Sequence, residues 1–158
     1  MQWIKSKGVI SVSSDRRIVV ELGGDIMNYY LSFIRREFWI DPQPPAYGPH
    51  ITINLKGKGN FSYNLAKSFD KKQIEFKFCP DVQIGGRRKG FLNFWFRVKS
   101  SEIERIKEVL RIDDGKNFLG LHWTCGTSGK GNSAHRSWWP KTIKIKKNIY
   151  LNSLDGPG

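Results

Sequence analysis

Two stretches of this chain run through the same succession of elements and end on the same short pattern. The first is a strand over Arg17–Leu22, a helix from Asp25, a loop, and a strand carrying Gly48-Pro49-His50-Ile51-Thr52-Ile53. The second is a strand over Phe91–Val98, a helix from Ser101, a loop, and a strand carrying Gly120-Leu121-His122-Trp123-Thr124-Cys125. The chain holds only three histidines and four threonines. With threonines scattered at random, two His-x-Thr patterns among three histidines is roughly a one-in-five-hundred event. The duplication predicts an α+β, pseudo-symmetric, two-lobed domain. Its lobes fall at about residues 8–60 and about 71–126, and a basic C-terminal extension covers about 127–158.

Local patterns fill in the elements. Gly8–Ser13 and Arg17–Leu22 read as strands joined at Ser14-Asp15, with Ile18, Val20 and Leu22 on one face. Ile26, Tyr29, Tyr30, Phe33 and Ile34 recur at helical spacing up to Phe38. Three prolines within Asp41–Gly48 impose a loop. Lys72–Phe78 alternates as a strand, and Gly57–Asp70 reads as a loop with room for a helical turn. Ser101 and Glu104 form a capping box for the second helix, and Thr142–Leu151 is strand-like.

In a strand, side chains two apart share a face. His50 and Thr52 therefore point one way, and Ile51 and Ile53 the other. His122 and Thr124 likewise oppose Leu121, Trp123 and Cys125. The apolar sets belong against helices, which leaves both His/Thr sets on an open side. Two imidazoles that titrate near neutral pH can act as acid and base on one group. Threonine hydroxyls beside them can hydrogen-bond the non-bridging oxygens of a phosphate. Either histidine can take either role.

Charge and composition narrow the partners. The net charge of +13 favours polyanions, whether nucleic acid, nucleotides or an acidic membrane face, and disfavours cationic ligands. Cys79 and Cys125 are far apart and form no CxxC pair, so neither a disulfide framework nor a metal site is signalled, and no cofactor is expected. No apolar run approaches the roughly 20 residues of a membrane-spanning helix. The N-terminus shows no secretory signal. The expectation is a cytoplasmic protein with no membrane attachment and no obligate protein partner.

The paired segments Pro49-His50-Ile51-Thr52-Ile53 and Leu121-His122-Trp123-Thr124 resemble the 2H phosphoesterase superfamily. The likeness runs from about Gly8 to Gly126 through the order of motifs. It implies a bilobal fold of two antiparallel sheets flanking a central cleft, with the helices outside. It also implies catalysis by His50 and His122, and phosphate binding by Thr52 and Thr124, on 2′,3′-cyclic phosphates or on 3′–5′ linkages beside a 2′-hydroxyl. Asn28-Tyr29-Tyr30, Tyr47-Gly48-Pro49-His50 and Gly120-Leu121-His122 are similar to a compact phage group. That group includes RNA-repair-like "Swiss Army knife" proteins and anti-CBASS phosphodiesterases, which cleave the cyclic di- and trinucleotide signals of antiphage defence. The implied substrate is a cyclic oligonucleotide in the host cytoplasm; RNA ends bearing a 2′,3′-cyclic phosphate and a non-catalytic nucleotide- or RNA-binding module are the alternatives.

Further substrate contacts are expected from aromatic and basic residues. Asn93, Trp95 and Arg97 share the strand face opposite Phe94 and Phe96, so Trp95 could stack a base and Arg97 could meet a phosphate. Covering an exposed sheet face explains Trp95 equally well. Tyr47 stands at the first motif as a cleft residue or a loop anchor. Trp138 and Trp139 lie beside Arg136 in a basic stretch, where they could capture a nucleobase or clamp the tail to the body.

Overall fold

The computed structural model describes residues 2–38, 42–45, 48–85, 92–113, 120–128, 144–146 and 149–151. Its elements follow the order β1 (Ile4–Val12), β2 (Ile18–Glu21), α1 (Gly24–Phe38), β3 (His50–Asn54), α2 (Tyr63–Lys67) and β4 (Gln73–Phe78). Then come β5 (Gln83–Gly85), β6 (Leu92–Lys99), α3 (Ser101–Leu110), β7 (His122–Ser128), β8 (Lys144–Lys146) and β9 (Ile149–Leu151). No helix among the described residues is long and apolar enough to cross a membrane.

Local chemistry accounts for the element ends. The β1–β2 hairpin turns through Arg16 at φ 72°, the left-handed position that a three-residue hairpin loop requires. The Ser13 N–H donates to the Arg17 carbonyl at 2.9 Å and closes the loop. Helix α3 begins one residue earlier than the capping box suggested. Ser100, not Ser101, is its cap, and its Oγ accepts from the Ile103 N–H at 3.2 Å. It ends where Arg111 turns left-handed at φ 53°.

The strands join one sheet in the order β4-β1-β2-β3-β7-β6-β5-β9-β8. Because β6 also pairs with β4, the first six close into an antiparallel barrel. This overturns the expected bilobal fold of two separate sheets flanking a cleft. Two joints are responsible. Strand β3 of the first repeat pairs with β7 of the second through Ile51 and Trp123. Strand β4 lies against β1 from Ile4–Phe78 to Val9–Gln73, and against β6 at Lys77–Lys99 and Phe78–Val98. Two free-standing sheets would expose four edges of unpaired N–H and C=O groups; closure of the first six strands onto each other leaves none within the ring.

By contact the chain forms two compact units. The first comprises Met1–Leu22, His50–Cys79 and Arg97–Trp123, and the second Gly23–Pro49, Pro80–Phe96 and Thr124–Gly158. In the first, inward-facing Ile10, Val20, Ile51, Phe78 and Trp123 are each at most 1% exposed. Trp123 meets Phe78 edge-on with ring centroids 5.9 Å apart, a favoured aromatic geometry. Gly8 faces the same interior, and a Cβ there would collide with the Val20 side chain. In the second unit, Tyr30 of α1 packs on Phe96 at 4.5 Å. The Cys125 thiol points to the Met27 carbonyl at 3.8 Å, so α1 lies against β7 at Cys125, whereas Ile51 and Trp123 face the barrel interior and not, as expected, a helix. Gly126 lets Leu31 approach where a Cβ would come within 2.9 Å of it.

Trp123 fills the barrel beside the β3–β7 joint, so its loss leaves a large void. Trp123→Ala is expected to cost about 3–5 kcal/mol in urea unfolding. Leu65→Ala, at a site 43% exposed, is expected to stay within about 0.5 kcal/mol.

Candidate active site

Pairing of Ile51 with Trp123 fixes what lies on the other face of the two strands. Both are fully buried, and alternation turns His50 and Thr52 of β3, and His122 of β7, to the outside of the barrel, where all three are half-buried. The antiparallel register sets Thr52 directly opposite His122. His50 is then diagonal to His122, at the roughly 7–8 Å spacing of diagonal neighbours in an antiparallel pair. Thr124 follows His122 by two places in β7 and is half-buried as well.

Neighbouring strands extend this face. Glu21 of β2 pairs with His50, and Val19 pairs with Thr52. A register shift between Ile18 and Val19 places a bulge just past Thr52, where such irregularities re-aim side chains. On the other flank, the Val98 N–H donates to the Leu121 carbonyl at 2.9 Å. That bond sets Arg97 opposite His122 on the outer face. Arg97 also reaches the residue that follows β4, with its Nη2 3.4 Å from Cys79 Sγ. One cross-strand row thus reads Val19, Thr52, His122, Arg97, and it is covered at its Val19 end, where the side chain is 2% exposed.

The state of His122 follows from its surroundings. Its Nδ1 lies 2.9 Å from the Gly120 carbonyl. A carbonyl only accepts, so Nδ1 carries the proton and Nε2 keeps its lone pair. Burial holds the pKa of His122 below the ordinary 6.5; the Gly120 bond opposes the shift, and the charge of His50 adds to it. That electrostatic coupling requires the two imidazoles to be near one another. His122 is a neutral, oriented imidazole around neutral pH. Gly120 reaches its position through a left-handed backbone at φ 64°. A cavity of about 380 Å³ opens beside it, lined in part by Lys99, Ser100, Lys107 and Gly120. Among the described residues, no group of three or more His, Cys, Asp or Glu is placed to hold a metal ion.

The expected residues divide. His50, Thr52, His122 and Arg97 meet on one face of the first unit. Trp95, in the second unit, is 3% exposed, and Phe94 and Phe96 beside it are fully buried. Three consecutive buried residues mean that β6 is covered on both faces there, so alternation no longer marks an open side, and Trp95 offers no surface on which to stack a base. Cys125 is buried and its thiol is pushed up to about 12, chiefly by burial, which suits packing rather than nucleophilic attack. Tyr47, Trp138 and Trp139 lie outside the described residues. Glu21 is the residue that sequence reasoning missed. Its parity, opposite to Ile18 and Val20, put it on the outer face, but only the register brings it to His50.

A titration followed by NMR tests this arrangement. The His122 ring is expected to titrate below 6.5, and His50→Ala is expected to raise its midpoint. An unmoved midpoint would place the rings too far apart to share a phosphate. The linkage has a defined sign. A histidine whose folded pKa is depressed binds protons more readily in the unfolded chain, so His122 costs stability as pH falls below about 6.5.

Comparisons with models of protein families, with curated proteins and with solved structures find no match.

Proposed function

We propose that this chain is a metal-independent phosphodiesterase that cleaves a 3′–5′ linkage beside a free 2′-hydroxyl by two-histidine acid–base catalysis. The observation that carries the reading is the placement of His50, Thr52 and His122 on one face of paired strands, fixed by the register of Ile51 with Trp123. Nε2 of His122 removes the 2′-hydroxyl proton, and the 2′-oxygen attacks phosphorus. The bond from phosphorus to the 5′-oxygen breaks as His50, as its imidazolium, protonates the leaving oxygen. The products are a 2′,3′-cyclic phosphate and a 5′-hydroxyl. Water then opens the cyclic ester with the two roles reversed, which restores both rings.

Supporting groups follow from the same face. Thr52 donates to a non-bridging oxygen as charge grows on the five-coordinate phosphorus. Arg97, opposite His122, offers a guanidinium to the phosphate. Glu21, opposite His50 on the neighbouring strand, is a positioning residue for its ring. The leading substrate is a cyclic di- or trinucleotide signal, as the anti-CBASS-like motif pattern implies. An RNA end with a 2′,3′-cyclic phosphate undergoes the second half of the same chemistry.

Purified protein incubated with a panel of 3′–5′ cyclic dinucleotides is expected to yield linear products in excess EDTA. His50→Ala and His122→Ala are each expected to lower the rate by about 10²- to 10⁴-fold. Activity abolished by EDTA alone would contradict the mechanism. Parental rates in both variants would contradict the assignment of the histidines.

A further inference from the structure

One row of the barrel's outer face has a composition that folding does not explain. Lys5 of β1 pairs with Lys77 of β4, and Lys77 pairs with Lys99 of β6. All three side chains are exposed. Adjacent strands lie about 4.7–4.9 Å apart, so three ammonium groups stand in line across about 10 Å. Like charges directly opposite one another destabilise a sheet. The next row of the same two strands shows the ordinary solution, since Lys7 there pairs with Glu75. Among the described residues, no carboxylate lies within salt-bridge distance of Lys5, Lys77 or Lys99.

Two neighbours indicate what the row meets. The Lys99 Nζ sits 4.3 Å from the centre of the Trp3 ring, which sets an aromatic beside the cations. Cations tracking a backbone, with aromatics alongside, are the means by which proteins hold single-stranded nucleic acid. The row also leads toward the histidines. By the register of Val98 with Leu121, Lys99 stands opposite Gly120, whose carbonyl orients His122.

We infer that Lys5, Lys77 and Lys99 form a binding stripe for the phosphates of a single-stranded nucleic acid. Its three cations are more than one cleaved linkage needs. The stripe is argued from β1, β4 and β6 alone and stands whether or not the histidines turn over.

The test uses the full chain and a fluorescein-labelled oligothymidylate 12-mer, which lacks 2′-hydroxyls and is inert to the proposed chemistry. Binding is followed by anisotropy across a salt series. The triple variant K5Q/K77Q/K99Q is expected to bind at least tenfold more weakly at low salt. The slope of log affinity against log salt is expected to shrink by about 2, at roughly 0.7 for each phosphate that the variant no longer neutralises. A control triple in exposed loop lysines, K56Q/K58Q/K71Q, is expected to retain the parental slope. Removing the repulsion should leave the melting temperature of the stripe variant equal or higher, and Lys77→Arg should bind as the parent does. Equal weakening by both triples would reduce the effect to net charge and overturn the stripe. An unchanged slope would overturn it too, as would a stripe-dependent preference for vesicles of phosphatidylserine and phosphatidylcholine over the oligonucleotide.

Discussion

The backbone pairing of β3 with β7 is the joint on which the molecule depends. It is short, with its register set by Ile51 and Trp123. Those two side chains are fully buried, and Trp123 packs edge-on against Phe78. The same joint completes the ring of six strands, so no edge within that ring is left open. Because the side-chain period of a strand is two, a slip of one residue would turn Ile51 outward and His50 inward. The cost of exposing Ile51 and Trp123 is therefore what holds the histidines on the outside. Core packing and site geometry are two faces of one register.

Electrostatics divide the outer face into unlike parts. His122 sits where burial disfavours its charged form, and its Nδ1–H is committed to Gly120. His50 has a carboxylate, Glu21, across the strand. Arg97 and then the row of Lys99, Lys77 and Lys5 lie on the far side of His122. A neutral imidazole, and a second one with a carboxylate across the strand, lie beside a run of cations, which is the setting for the proposed phosphodiester chemistry.

Much of this is legible in alternation, and the rest is not, for a physical reason. Periodicity states which face a side chain takes. It places His50, Thr52, His122 and Thr124 opposite Ile51 and Trp123, and it places Trp123 and Cys125 on the packed side. It does not state which strand lies next door. Chain order alone therefore groups β4 with the second repeat, although it pairs with β1, and implies two sheets in place of one closed barrel. Glu21 and the lysine row are products of pairing and are invisible in the sequence for the same reason. Trp95 misleads because β6 is buried on both faces along Phe94–Phe96, which erases the contrast that alternation relies on. Strand β5 has three residues, too few to show any period.

The β3–β7 joint can be observed directly. In labelled protein, cross-strand NOEs between the backbone protons of Ile51 and Trp123 report it without reference to function. The account predicts these NOEs, together with those between Lys77 and Lys99 that mark the closing pair β4–β6. Strand β3 showing contacts to β2 but none to β7 would contradict it, because the histidines would then have no shared face and the ring of strands would stand open.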